Sequence, residues 1–184
     1  MTQYSSEWQK MLAGEAYKAG DAELVAARRR AKALCYRYNQ SPVDLDSATL
    51  TELFGQATDA YLEPPFFCDY GSNMKLGTHV YANHNLVVLD CAEVVLGNDV
   101  FMGPNVVITT ATHPIDPVQR RSGVESARSI RIGNGVWLGA SVTVLPGVEI
   151  GDNVTIGAGS VVTRSIPANC VAFGNPCRVQ KQLG

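Results

Sequence analysis

The chain has 184 residues, is 46% hydrophobic and carries a formal net charge of -2, enough apolar material for one good core and too little basic excess for a nucleic-acid binder. No apolar run approaches the roughly 20 residues a membrane span needs. Five cysteines (Cys35, Cys68, Cys91, Cys170 and Cys177) are odd in number, form no CxxC pair and follow no charged-then-apolar leader, which reads as a reduced, cytoplasmic protein.

Ser6 followed by Gln9 predicts a capping box that opens a short helix through Met11 and Leu12, ended by Gly14. Asp21 caps a second helix, in which Leu24, Ala27, Ala31, Leu34 and Tyr38 recur at helical spacing until Asn39, Gln40, Ser41 and Pro42 break it. Its Arg28, Arg29 and Arg30 read as a solvated face. A third helix runs from about Ser47 to Phe54 and stops at Gly55, and Glu63, Pro64, Pro65 and Phe66 mark an extended entry to the remainder of the chain. The chain therefore divides into a helical segment over residues 1–60, too small to be stable alone, and a second unit over 61–184.

That second unit repeats every six residues. From Leu96 the chain reads LGNDVF, MGPNVV and ITTATH, and from Ile132 it reads IGNGVW, LGASVT, VLPGVE, IGDNVT, IGAGSV and VTRSIP. The period suits a short flat strand plus a tight corner, turned three times per coil into a prism. The first residue of each repeat then points inward, which stacks Ile132 on Ile150, Leu138 on Ile156 and Val144 on Val162. Weaker turns begin at about Leu76, and their register slips by two residues before Leu96, as a local bulge or turn would make it do.

One insertion interrupts the ruler. Four whole periods separate Ile108 from Ile132, yet residues 114–129 carry no ladder, so the chain leaves the prism where binding and catalytic loops commonly sit. His113 stands at its base, and Pro114 biases His113 toward an extended backbone. A histidine held between scaffold and loop is a candidate general base. A polar loop residue is the plainer alternative.

At these residues the chain resembles the hexapeptide-repeat sugar O-acetyltransferases, the galactoside and maltose acetyltransferase group. The resemblance rests on WQKMLAGEAY, RYNQ, FFCDYGSNMKLG, YANHNLVVLD, THPIDP, the repeats from Ile132 to Pro167, and FGNPCRV. It implies a mainly β fold, a left-handed parallel β-helix that forms homotrimers, with acetyl-CoA and a small sugar acceptor meeting between subunits and no metal required. His113 would be the catalytic base and Asn83 the oxyanion stabiliser, a role open to a neutral amide donor. Asp69, Tyr81, Asn83 and Asp21 would contact the acceptor, with Ala19 competing for the place of Asp21. Ala140 and Ala158, through their backbone, and Thr163, Arg164, Arg178 and Lys181 would hold the CoA moiety. Trp137 would flank the same cleft. Where some galactoside enzymes carry an acidic residue, Cys91 follows Asp90 here, and Glu125 either reaches the acceptor or faces solvent.

Three other functions fit parts of this pattern. Serine or antibiotic acetylators share the scaffold, and repeats alone also suit a non-catalytic assembly protein. A zinc carbonic anhydrase would draw on His79, His84 and His113, although the order of the close pair and the lone histidine is reversed from that family.

Overall fold

The computed structural model describes residues 6–40 and 46–184. Its six-residue period becomes strands of two to four residues joined by corners, and Ile132 pairs in parallel with Ile150, Leu138 with Ile156 and Val144 with Val162. These first residues are buried, as are Val136, Val142, Val148 and Val154 four places after them. Every third strand returns to the same face, giving three parallel sheets. The fold is a left-handed parallel β-helix.

The three faces of the prism differ in what they turn outward. One carries an aromatic row: Tyr61, Tyr81, Phe101 and Trp137 occupy successive coils in register, and the rings of Tyr61 and Tyr81 stack with centroids 5.9 Å apart. The next is aliphatic, with Phe67, Val87, Val107, Thr143 and Val161 in line. The third shows Lys75, Val95, Arg131 and Glu149.

The coils start earlier than the Leu76 pattern suggests, because the first strand is Tyr61–Leu62. Its inward Leu62 is followed by the Pro64 and Pro65 corner, which hides the period from a sequence scan. The register slip is a corner: Leu76 pairs with Leu96 twenty residues on, whereas Ile132 pairs with Ile150 after eighteen, and the longer turn lies between strands Leu86–Leu89 and Val94–Leu96.

Three helices close the first coils. Helix α1 spans Ser6–Ala13; Ser6 is already the first helical residue and so is not the cap expected there. Helix α2 spans Ala22–Asn39, with Asp21 Oδ1 accepting from the Glu23 and Leu24 amides; Ser41 and Pro42, expected to break it, lie outside the described residues. Helix α3 spans Ser47–Phe54 and ends at Gly55, whose φ of 66° suits the left-handed cap that glycine adopts without strain. Arg28 departs from the solvated reading. Its guanidinium donates to Tyr70 Oη at 2.6 Å and to the Ala19 carbonyl at 2.6 Å, so half-burial of this long side chain is matched by two fixed acceptors.

The excursion is more ordered than a bare loop. Strand Ala111–Thr112 leads out, helix α4 (Pro117–Arg121) turns the chain, and strand Val124–Ala127 returns antiparallel to Ala111–Thr112 on one side and to Tyr17–Lys18 on the other. A second small core forms beneath it from Trp8, Met11, Tyr17, Leu24, Tyr70, Cys91, Ala92 and Ala127, distinct from the core of the coils.

Candidate active site

His113 stands where Ala111–Thr112 leaves the aliphatic face, with 58% of its side chain exposed. Glu125, on the returning strand, brings Oε1 to 4.0 Å from His113 Nδ1. Its other oxygen accepts a 2.9 Å hydrogen bond from the Tyr17 hydroxyl. Burial, with the Cys91 thiol and the Glu125 carboxylate beside it, pushes the Tyr17 phenol far up, so this hydroxyl keeps its proton and donates. Glu125 therefore faces the histidine, a placement that neither expected alternative, acceptor or solvent, named.

The same edge of the prism carries Asp69. Its turn is fixed from below by the buried Asp90, whose Oδ1 accepts from the Asp69 amide at 3.1 Å and the Tyr70 amide at 2.8 Å. Burial pushes the Asp90 carboxyl up to about 6, and its Oδ2 has no hydrogen-bond partner among the described residues. Asp69 is also raised by burial, an effect opposed by a 3.6 Å contact from Cys91 Sγ and by the Arg28 and Lys32 charges. Beside it opens a largely apolar cavity of about 640 Å³ between α2 and the aliphatic face, lined by Lys32, Cys35, Phe67, Cys68, Asp69 and Leu89 among others. Asp21 spends Oδ1 on the α2 cap and borders a different, smaller cavity with Glu7, Lys18 and Ser122.

Asn83 lies on the edge between the aromatic and aliphatic faces. Its Oδ1 accepts from the His84 amide at 2.7 Å, which leaves the side-chain NH₂ as an outward donor. Directly along this edge run Gly103, Gly139 and Ala140, and Gly157 and Ala158. A Cβ on Gly103 would come within 2.7 Å of the Ala140 amide nitrogen, and one on Gly139 within 2.7 Å of that of Ala158, so close stacking requires glycine here. The Ala140 and Ala158 amides make no backbone hydrogen bond among the described residues. At the top of the edge Arg178 pairs with Phe173, which packs on Gly157.

Comparison with known proteins places the fold in a family. Residues 10–58 match the maltose acetyltransferase hexapeptide capping motif and residues 129–164 the six-repeat bacterial transferase hexapeptide. A putative acetyltransferase of Saccharomyces cerevisiae is 49% identical over 95% of this chain and 92% of its own length. The chain belongs to the hexapeptide-repeat sugar O-acetyltransferase family. Its fold superposes on a maltose O-acetyltransferase from Clostridium difficile with a TM-score of 0.95 at 42% identity, covering 99% of this chain and 100% of the other. A galactoside acetyltransferase in complex with coenzyme A gives 0.89 at 37%, covering 98% and 92%.

The residues singled out in this acetyltransferase divide between two edges. Asn83, Ala140, Ala158 and Arg178 share one, with Tyr81 and Trp137 on the adjoining aromatic face and Lys181 on the terminal strand that extends it. His113, Glu125 and Asp69 belong to the other, as do Thr163 and Arg164 just after the last aliphatic-face strand, Val161–Val162. The aliphatic face separates the edges, and its strand Leu86–Leu89 is roughly 13 Å long. His79 stands on the third edge between Asp59 and Asp99, and His84 on the Asn83 edge bonded to the Pro64 carbonyl. The three histidines thus occupy three edges and do not converge. Tyr17, Arg28, Tyr70 and Asp90 escaped the sequence reading because the side-chain contacts Tyr17–Glu125, Arg28–Tyr70 and Asp90–Tyr70 span 20 to 108 residues.

Proposed function

We propose that this acyltransferase moves an acetyl group from acetyl-CoA to a hydroxyl of a small sugar such as glucose, maltose or a galactoside, at sites between the subunits of a cytoplasmic homotrimer. The observation that carries the reading is the Glu125 carboxylate behind His113, with the companion groups on an edge that one subunit cannot fold onto it. His113 takes the proton of the acceptor hydroxyl as that oxygen attacks the thioester carbonyl. The Asn83 NH₂ of a neighbouring subunit donates to the developing oxyanion. The C–S bond then breaks, and protonated His113 returns its proton to the departing thiolate. Ala140 and Ala158 offer unpartnered amides to the pantetheine arm, while Thr163, Arg164, Arg178 and Lys181 suit its phosphates. Asp69 and Tyr81 supply the polar partners that a hydroxyl-selective site needs. Outward aromatic and aliphatic rows on the two faces flanking the Asn83 edge suit subunit contact, and the five free cysteines suit a reducing compartment.

Thiol release from acetyl-CoA with glucose, maltose, galactosides, serine and chloramphenicol tests the acceptor class. Turnover should appear with sugars and fall about 10³-fold in His113→Ala, with affinity for CoA within about twofold of the parent. Release with serine or chloramphenicol only, or undiminished turnover in the variant, overturns the reading.

A further inference from the structure

The phenol buried under the excursion is unexplained by packing. Tyr17 is 1% exposed, and a phenylalanine ring would fill the same space without the cost of burying a hydroxyl. The hydroxyl is retained against a carboxylate that itself faces the base, in a pair of residues directly opposite in an antiparallel register, Tyr17 to Glu125. The backbone holding Tyr17 is itself fixed: the Lys18 amide donates to Glu7 at 2.6 Å, and the Asp21 amide to the Lys18 carbonyl at 3.1 Å.

We infer that Tyr17 is a positioning residue for His113: its hydroxyl fixes the Glu125 carboxylate so that the second oxygen faces the imidazole. This rests on His113 being the base. A carboxylate gripped by one oxygen has one free oxygen and one orientation, and the imidazole nitrogen facing it is then the donor, leaving Nε2 for the acceptor hydroxyl. The 4.0 Å gap between Glu125 and His113 closes when the substrates fill the site, as catalytic hydrogen bonds commonly tighten on binding. Cys91 lies against the same hydroxyl and also against Asp69, so Tyr17 stands between the base's partner and the acceptor's carboxylate. The N-terminal segment thereby supplies part of the catalytic apparatus as well as a cover for the first coils.

The test is a double-mutant cycle in the full chain. Tyr17→Phe removes one oxygen and keeps the ring; kcat should fall about tenfold, with KM for acetyl-CoA within about twofold. Glu125→Ala should fall further, and the double variant should be no worse than Glu125→Ala alone, because the hydroxyl acts only through that carboxylate. Undiminished kcat in Tyr17→Phe, or losses that multiply in the double variant, overturns the inference. Should Tyr17→Phe not fold, Glu125→Gln serves in its place: the amide oxygen can still accept from Tyr17, but the charge facing His113 is gone. A kcat equal to the parent's there is equally fatal. Full turnover in His113→Ala would instead remove the base assignment itself, so the two failures are told apart.

Discussion

Separation of the two edges makes a quantitative demand on subunit mixing. If each site takes His113 from one subunit and Asn83 from the next, His113→Ala and Asn83→Ala chains are each inactive alone but complementary together. Leu86–Leu89 keeps the edges roughly 13 Å apart within a subunit, so no single chain rescues itself. In a cyclic trimer holding both kinds of chain, one junction joins an intact His113 to an intact Asn83, whichever chain is in excess. Random assembly from equal amounts puts about three quarters of trimers in the mixed class, and one working site in three gives about one quarter of parental activity. The two variants are denatured together, refolded and assayed by thiol release against each variant refolded alone. Activity no greater than the sum of the separate variants would show that each site draws both groups from one chain, and the interface mechanism would fall.

Asp90 predicts a pH-dependent stability. Native Asp90 holds its proton up to about 6, against 3.8 in an ordinary aspartate, so between those values the folded state binds more protons and stability rises as pH falls. Its contribution grows by about 1 kcal/mol from pH 7 to pH 5; Asp90→Asn lacks it, and parallel urea-unfolding profiles of parent and variant against pH would refute the assignment. Leu138, fully buried between Met102 and Ile156, should cost about 2–5 kcal/mol as Leu138→Ala, measured by urea unfolding at fixed protomer concentration, with a loss below about 1 kcal/mol contradicting the ladder. Gly139→Ala drives its methyl against the Ala158 amide nitrogen. KM for acetyl-CoA should rise about tenfold, and an unchanged KM would detach this edge from donor binding.

Much of the scaffold was legible because its period is local: a residue six places on meets the same corner, and eighteen places on the same ladder, so Ile132, Leu138 and Val144 announced their partners. The helices were legible for the same reason, through Asp21 and Gly55. The onset of the coils was hidden where prolines replace the glycine corner. Half the candidate site was legible as well, since His113 marks the point where the ruler breaks. The other half depends on pairing across distance. Nothing near Tyr17 in sequence indicates Glu125, and nothing near Asp69 reveals that Asp90 holds its turn. Arg28 looked solvated because a run of arginines carries no local signal of an inward turn.

The second small core has a consequence for how this acyltransferase fails. Eight residues packed under the excursion, Tyr17 and Ala127 among them, form a unit apart from the stacked coils, and small units open at lower free energy than the whole. Peeling the N-terminal segment from strand Val124–Ala127 frees Glu125 while every aliphatic ladder stays intact. Warming should therefore silence the enzyme before its β-sheet circular dichroism changes, and cooling should restore activity at the speed of a local reclosing rather than of refolding.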